Sequence, residues 1–285
     1  MNTQPIISFV SVNYRMREHI RHLLTGIERS RLGFPFEYLL VDCDSGDGVL
    51  DFVRKRFPWA TPIDAGANIG FGAGNNLGIR RARGRYVLLL NPDITVFPGE
   101  LERWISWMDQ HPDVGISGPR LTNPDGTDQD SCYRFPELLM PIYRRTMLGK
   151  TPWGKSAIAR YLMKEMDRTR MQDVDWVLGA AMLIRREVID EIGDFDQRFF
   201  MYYEDADLCF RAWERGWRVT YTPEARIVHY HQRQSQTRFF WQMFTNRVTR
   251  THIASGVKYF LKHEGHPHPR LHVAPRKHTQ DAPAL

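Results

Sequence analysis

A short apolar run that stops at a proline constrains the fold of this chain more than any other stretch. Tyr86–Leu90 is almost wholly apolar, which is typical of a buried strand in a parallel sheet. The strand has to end or bend at Asn91-Pro92-Asp93, because Pro92 cannot donate to a ladder. Asp93 is thereby placed at the rim of the sheet, where α/β proteins bind ligands and where a carboxylate can hold a divalent cation. The alternative is turn capping, since Asn-Pro-Asp is also ordinary turn chemistry.

Strand and helix patterns alternate through the first part of the chain. Ile6–Val12 and Tyr38–Val41 predict strands, and the apolar residues of 20–27 between them have the spacing of an amphipathic helix. This alternation predicts an α/β fold, with a mostly parallel sheet flanked by helices. Further along, the pattern predicts a helix after Pro98 and a strand at Val114–Gly118.

Polar residues follow the second strand and fill a later stretch. Asp42 is placed where an acidic group takes the hydroxyls or base edge of a nucleotide, although turn capping is an equal alternative. Residues 65–84 are rich in glycine and asparagine but contain neither the Rossmann nor the Walker pattern. Asn75 or Asn76 is predicted to cap a helix there.

Three carboxylates crowd the predicted N-terminus of a helix that ends at Gly216. They are Glu204, Asp205 and Asp207. A helix dipole accounts for one of them, and close like charges raise the pKa of at least one. This pattern indicates a general base, with helix capping as the alternative.

Two further stretches add candidate site residues. Trp176–Arg185 predicts a buried strand whose small residues from Gly179 onward let a ligand approach closely. Two short strands are predicted around Pro223, at Val219–Tyr221 and Ile227–Tyr230, with His229 and His231 on one strand face. One of them could complete a metal site with Asp93, although a histidine pair is more often structural.

Composition limits the classes of partner and compartment. The net charge of +6 favours acidic partners, such as nucleotide phosphates, nucleic acid or an anionic membrane. The three cysteines are dispersed and form no CxxC pair, which favours a reducing compartment over a disulfide framework or zinc site. The first residues do not predict a signal peptide, and no apolar run approaches the roughly 20 residues of a membrane span. We therefore expect a cytoplasmic protein.

The organisation of the chain is predicted in three parts, at 1–235, 236–264 and 265–285. Within the first, residues 132–172 mix aromatic, methionine and basic side chains, so they predict either a membrane or lipid-acceptor surface or an ordinary helical insertion. Residues 236–264 predict an amphipathic helix that packs on the core, with a position on a membrane as the alternative. Residues 265–285 predict a disordered tail.

Several motifs together resemble glycosyltransferase family 2, the inverting enzymes with the GT-A fold, and most of all bacterial rhamnosyltransferases. They are FVSVNYR, VDCDSGDG, NIGFGAGNNLGI, LLLNPDITV, WVLGAAMLIRREV, GDFDQRFFMYYEDADLCFRAWERGW and IVHYHQRQS. The resemblance runs from about Ile6 to Gly265 and is weakest in 132–172. It implies that residues 1–235 form a GT-A domain.

The resemblance also implies roles for individual residues. Asp93 matches the last carboxylate of the DxD metal motif, His229 the histidine that completes the metal shell, and Asp205 the catalytic base. The acceptor side is expected at Trp176, Gly179 and Glu204. The residues expected beside the donor nucleotide are Asn13, Asp42, Asn68, Asn76, Asn91 and Asp93. Asn91 departs from the pattern, since many members have aspartate there, so a weaker metal site is expected.

The reaction implied is inverting transfer of a sugar from a nucleotide-sugar with Mg²⁺ or Mn²⁺. The expected donor is dTDP-L-rhamnose, with a UDP-sugar or another hexose as the alternative, and the expected acceptor is a glycan or a sugar on polyprenyl diphosphate. Two rivals remain. A sugar-1-phosphate nucleotidyltransferase usually begins with a glycine-rich basic loop, which is lacking here, and a non-enzymatic basic module would leave the acidic residues without a role. No nucleic-acid partner is expected, and peripheral contact with the inner membrane face is.

Overall fold

The computed structural model describes residues 4–230, 247–274 and 276. Its strands are β1 Ile7–Asn13, β2 Phe36–Asp42, β3 Ala60–Asp64, β4 Tyr86–Leu90, β5 Ile94–Thr95, β6 Val114–Thr122, β7 Cys132–Tyr133, β8 Gln172–Asp173, β9 Trp176–Val177, β10 Ala181–Arg185 and β11 Arg218–His229. Its helices are α1 Arg17–Ser30, α2 Val49–Arg56, α3 Phe71–Ile79, α4 Glu100–Gln110, α5 Met140–Arg145, α6 Pro152–Tyr161, α7 Arg186–Ile192, α8 Glu204–Glu214, α9 Arg247–Lys262 and α10 Pro269–His272.

The described residues form one nine-stranded sheet and a separate pair of strands, β7 and β9. The main order is β3-β2-β1-β4-β10-β6-β11-β5, with β8 added on β11. Strands β3, β2, β1 and β4 run parallel, β10 is antiparallel to both β4 and β6, and β11 is parallel to β6. The α/β class and the mostly parallel sheet are therefore confirmed.

Two apolar layers cover the two faces of the sheet, because successive strand residues point to opposite faces. Phe9 belongs to the cluster that includes the buried stripes of α1 and α4, while Val10 belongs to the cluster that includes α8. The predicted inward residues of α1 are all buried, as are those of α4. The periodicity of these two helices thus predicted their packing correctly.

Three strand predictions need correction. β3 was not predicted, because it is an edge strand with Pro62 inside it, and edges are where proline is tolerated. Trp176–Arg185 is two strands, since the chain leaves the β7–β9 pair and enters the main sheet only at Ala181. Conversely, the segment around Pro223 is one strand, β11, which keeps its pairing with β6 through a register shift between Thr222 and Arg226.

The glycine-rich stretch forms α3, but its start differs from the prediction. The helix begins at Phe71 after Gly70, whose φ of +89° and contact with Phe200 exclude a side chain. Asn75 and Asn76 therefore lie inside the helix and do not cap it. A side chain at Gly78 would collide with Val10, so glycine lets α3 pack closely on β1.

The segments beyond the sheet are partly described. Residues 132–172 do form an insertion with two helices, α5 and α6, joined by a 3-10 turn at Met147–Lys150. The predicted C-terminal helix is described from Arg247, and His231 and the start of that helix lie outside the described residues. The tail prediction is wrong through residue 274, because α10 packs on α8, and its Arg270 and the preceding His268 bind the buried Asp175. Among the described helices, none has both the length and the apolar character needed to cross a bilayer.

Candidate active site

One end of the sheet gathers the polar residues predicted for the site. The parallel strands β1, β2 and β4 end there, at Asn13, Asp42 and Leu90. The antiparallel β10 begins there, since Ala181 lies opposite Leu90. β11, which runs in the same direction as β4, ends there at His229. This convergence follows from topology, because parallel strands present their carboxyl ends at one edge.

Asp93 and His229 meet at this edge. Nε2 of His229 lies 3.4 Å from Oδ1 of Asp93, and β11 and β5 pair beside them. Nδ1 of His229 lies 2.9 Å from Oε1 of Gln129, which accepts a hydrogen bond in the tautomer protonated at Nδ1. The amide nitrogen of Gln129 donates to the His229 carbonyl at 2.7 Å. Gln129 therefore fixes the imidazole so that Nε2 faces the carboxylate.

The donor set at this point suits a metal that is shared with a phosphate substrate. Asp93 and His229 would supply two ligands, and the described residues contain no group of three or more acidic, histidine or cysteine side chains placed to hold an ion. Mg²⁺ is usually bound through one or two protein carboxylates together with substrate phosphates. The residues present fit a cation of that kind.

Asn13 and Asp42 are bonded to each other at the ends of β1 and β2. Nδ2 of Asn13 donates to Asp42 at 2.8 Å and to the Ser45 hydroxyl at 2.7 Å, while its Oδ1 accepts from the backbone of Met16. Asn13 is fully buried, and its amide holds the loop after β2 in place. Asp42 also accepts from the Ser45 N–H, so the turn-capping alternative is realised at the same carboxylate.

Asn68 and Asn76 have different surroundings. Asn68 is exposed in the loop before α3, and its Oδ1 accepts from the Gly70 N–H at 3.3 Å. Asn76 is fully buried, and its amide both donates to the Phe195 carbonyl at 2.7 Å and accepts from the Phe195 N–H at 3.0 Å. This side chain therefore ties α3 to the segment that leads to α8, and its place beside the donor stays a prediction.

Asp205 lies at the first turn of α8, beside the Gly179 backbone. Its Oδ2 accepts from the Gly179 N–H at 3.2 Å, and its Oδ1 accepts from the Ala206 N–H at 2.9 Å. Ala180, which follows Gly179 in the chain, accepts at its carbonyl a 2.8 Å hydrogen bond from the N–H of Asn91. Asp205 and the Asn91–Asp93 turn are thus joined through two consecutive backbone groups and lie at the same end of the sheet.

Burial shifts the pKa values of the acidic pair. It raises the pKa of Asp205 to about 6, against the opposing effect of the two N–H donors. Burial, and then the negative charge of Asp205, raises the pKa of Glu204 to about 8. Oε2 of Glu204 has no hydrogen-bond partner among the described residues. The prediction of a raised pKa is confirmed, but burial is its main cause and like charge only the second.

Asp207 differs from its two neighbours. Burial alone would raise its pKa, but the hydrogen bond from His263 and the charges of Arg211 and Lys262 lower it below the usual value. Its oxygens lie 2.6 Å from Lys262 and 2.9 Å from each of the other two side chains. Asp207 therefore fastens α9 to α8 and is not part of the acidic pair.

A strained turn places the acidic pair. Tyr202 and Tyr203, the two residues before α8, have φ angles of +74° and +70°, which cost about 1–3 kcal/mol each for residues with a side chain. α9 covers this turn. Gly256 lies against the Tyr203 ring, where an added Cβ would come within 3.1 Å of the Tyr203 hydroxyl. The Ser255 hydroxyl donates to the Met201 carbonyl at 2.9 Å. Packing of α9 thus holds the backbone from which Asp205 projects.

The expected acceptor-side residues line the same region. Gly179 lies between Asp205 and the ring of Phe71. A methyl group added to Gly179 would be at ordinary van der Waals distance from both side chains. Trp176 is buried, stacks on Tyr133 at 4.4 Å between centroids, and donates its indole N–H to the Arg134 carbonyl. Trp176 is therefore held in place by these two contacts.

Sequence reasoning missed two residues that position this site. Gln129 and Gly256 each act through a contact with a residue that lies far away in the chain. Nothing in the sequence marks Gln129, which lies 100 residues before its histidine.

Comparisons with known proteins agree with this arrangement. A mannosyltransferase from Pyrobaculum calidifontis, solved with GDP-mannose and Mn²⁺, superposes with a TM-score of 0.59 over 94% of this chain and 67% of its own, at 17% identity. Staphylococcus aureus TarS residues 1–349 superpose with a TM-score of 0.53 over 78% of this chain and 60% of that one, at 16% identity. The fold is therefore that of the GT-A glycosyltransferases.

The sequence comparisons define the family. The model of "Glycosyltransferase like family 2" matches residues 5–251, so this chain belongs to glycosyltransferase family 2 and is a glycosyltransferase. An N-acetylglucosaminyl-diphospho-decaprenol L-rhamnosyltransferase of Mycobacterium tuberculosis is 27% identical over 79% of this chain and 76% of its own length. The rhamnosyltransferase WbbL of Escherichia coli K12 is 28% identical over 90% and 93%. Both of these relatives are named as rhamnosyltransferases.

Proposed function

We propose that this enzyme transfers a sugar, with inversion, from a nucleotide-sugar to a lipid-linked glycan, and that Asp205 is its general base. The observation that carries the proposal is the position of Asp205. It is held by the Gly179 N–H at the end of the sheet where Asp93 and His229 also lie. Its raised pKa brings it closer to neutral pH, where a base works best.

In the chemical step, a bond forms between the acceptor oxygen and the anomeric carbon, and the bond from that carbon to the donor phosphate breaks. Asp205 takes the proton of an acceptor hydroxyl as that oxygen attacks the anomeric carbon from the side opposite the leaving group. The bond between the anomeric carbon and the phosphate oxygen breaks, and its electron pair leaves on the nucleoside diphosphate. Asp205 is ionised above its pKa of about 6, so it is ready to accept the proton at neutral pH.

Charge on the leaving group is handled at the other side of the site. Asp93 and His229 would hold a divalent cation, Mg²⁺ or Mn²⁺, together with the diphosphate, and such a cation offsets the charge that develops on the leaving oxygens. Asn91 carries no charge, so metal affinity depends on Asp93, His229 and the substrate. The pocket for the nucleoside would use Asp42 and the loop held by Asn13, with Asn68 near the donor.

The donor is proposed to be dTDP-L-rhamnose, and the acceptor a sugar on a polyprenyl diphosphate at the inner face of the membrane. Support comes from the names of the two rhamnosyltransferase relatives, one of which acts on a diphospho-decaprenol. A cytoplasmic enzyme in peripheral contact with that membrane would meet both substrates. A UDP-sugar donor is the alternative.

A panel of nucleotide-sugars tests this proposal. The protein is incubated with each one, with and without EDTA, and release of nucleoside diphosphate is followed. We expect nucleoside diphosphate to be released fastest from dTDP-L-rhamnose. EDTA should abolish this release. Release of pyrophosphate in a reaction with sugar-1-phosphate and nucleoside triphosphate, without any diphosphate release from the panel, would instead show a nucleotidyltransferase.

A further inference from the structure

One surface of the insertion combines exposed apolar side chains with uncompensated positive charge. Six large apolar residues between 138 and 153 are 43–71% exposed, and we call them the apolar crest: Leu138, Leu139, Ile142, Met147, Leu148 and Trp153. Residues 138–164 contain six lysines and arginines and no aspartate or glutamate. Contiguous apolar side chains on a surface usually mark a contact with another molecule or a membrane.

The crest is held in a defined shape. Thr146 and Thr151 accept hydrogen bonds from the N–H groups of Leu148 and Gly154, which caps the 3-10 turn and α6. A side chain at Gly149 would collide with the Tyr143 carbonyl. Backbone therefore packs against backbone inside the insertion, and the large apolar side chains are turned outward.

The charge beside the crest favours an anionic partner. Arg160 and Lys164 face Glu137 and Asp130, at 3.7 and 2.8 Å. Arg144, Lys150 and Lys155 are exposed, and in the described part of the chain they have no carboxylate within ion-pair distance. Lysine and arginine next to exposed apolar residues are the pattern of a surface that lies on anionic lipid.

The insertion also contacts the expected acceptor side of the site. Arg144, on α5, lies over the ring of Tyr161 at 5.5 Å. The ring of Tyr161 lies 5.5 Å from that of Tyr133, which stacks on Trp176 at 4.4 Å. A bilayer that touches the crest would therefore bring its headgroups close to the acceptor side of the site.

We propose that the apolar crest, with Arg144, Lys150 and Lys155, is a docking surface for an anionic lipid bilayer. The apolar side chains enter the interface, and the cations contact lipid phosphates. This inference rests on the proposed function only for its purpose, which is to present a membrane-borne acceptor to Asp205. Lipid binding itself requires no catalysis.

Flotation of the full-length protein with vesicles tests the proposal. One set is phosphatidylcholine alone, and the other contains about 30% phosphatidylglycerol. We expect binding to the anionic vesicles that weakens as salt is raised, and at least about tenfold weaker binding for a Met147→Ser, Leu148→Ser, Trp153→Ser variant. Lys150→Gln with Lys155→Gln should weaken binding mainly at low salt. Leu271→Ser, which changes an apolar residue as exposed as Met147, should bind like the unmodified protein.

The outcomes separate this inference from the proposed function. Equal binding by the crest variant and the unmodified protein, with circular dichroism showing both folded, would overturn the docking surface, as would the absence of binding to anionic vesicles. If donor turnover persists in that case, the proposed function stands. Vesicle binding by a protein that releases no nucleoside diphosphate from any donor would leave the docking surface supported and the transferase proposal refuted.

Discussion

The carboxylate of Asp205 accepts a hydrogen bond of 3.2 Å from the backbone N–H of Gly179. Gly179 precedes Ala180, whose carbonyl is bonded to Asn91 at the end of the central strand. A residue of α8 is thereby tied to the turn that carries Asp93, although the two lie more than a hundred positions apart in sequence.

The pH dependence of turnover should report Asp205. Burial raises its pKa to about 6, and the base acts only when ionised, so kcat/KM should fall as pH decreases through about 6. An ordinary exposed aspartate would lose activity only near pH 4. The measurement is a kcat/KM profile from about pH 4.5 to 9 with the preferred donor. A profile that stays flat down to pH 4.5 would rule out a base with this pKa.

Glu204→Gln should change how stability depends on pH. The folded-state pKa of Glu204, about 8, lies above its unfolded value of 4.5, so the folded protein binds the extra proton between these values. Stability should therefore decrease as pH rises from 4.5 to about 8, by about 1.4 kcal/mol for each unit of pKa difference. The variant carries no proton to lose and should show a smaller decrease.

Denaturant unfolding at several pH values measures this effect. Glu187→Gln is the matched control, because Glu187 is an exposed glutamate in the first turn of another helix. The control should follow the unmodified protein. Parallel pH dependence in the Glu204→Gln variant and the unmodified protein would show that Glu204 is ionised normally in the folded state.

Gly256→Val should impair turnover through the strained turn. A Cβ atom at this position would lie 3.1 Å from the Tyr203 hydroxyl, so the added methyl groups would shift Tyr203 and, with it, the start of α8. We expect kcat to fall by about 10- to 100-fold while the KM for the donor changes little, because small displacements of reacting groups are costly. Val257→Ala, at an exposed neighbour, should have no effect. A rise in donor KM with kcat unchanged would contradict the positioning role.

Gln129→Leu should weaken metal binding without removing a metal ligand. Gln129 accepts from Nδ1 of His229 and keeps its Nε2 directed at Asp93. Loss of such an outer partner typically costs about 10- to 100-fold in metal affinity. The measurement is binding of Mn²⁺ by electron paramagnetic resonance in the presence of nucleoside diphosphate, with Gln110→Leu on an exposed helix position as control. Unchanged Mn²⁺ affinity in Gln129→Leu would exclude this role.

Local patterns were enough to predict the framework of the fold. Helical spacing predicts the apolar stripes of α1 and α4, because each helix buries one face. Continuous apolar runs predict β1, β2 and β4, because these strands lie inside the sheet and not at its edge. β3 was missed because an edge strand buries little and its pattern is weak. The sequence predicts two short strands around Pro223, but β11 is one strand. It continues through a register shift that only its pairing with β6 reveals.

The acidic residues of the candidate site could be predicted from the sequence, but the residues that hold the site in place could not. Motif resemblance pointed to Asp93, Asp205 and His229, and the structure places all three at one end of the sheet. The burial of Asn76 against Phe195 arises from partners 119 residues apart, which no local pattern encodes. The same applies to Gln129 and His229.

The most direct measurement is the turnover of Asp205→Asn beside its affinity for the donor nucleotide. Removing the base should lower sugar transfer by about 10²- to 10⁴-fold, while nucleoside diphosphate still binds, because the Asp93 side of the site is unchanged. Asp51→Asn, which changes an exposed carboxylate on α2, should behave like the unmodified enzyme. Sugar transfer by Asp205→Asn at the rate of the unmodified enzyme would contradict the central claim that this carboxylate accepts the proton.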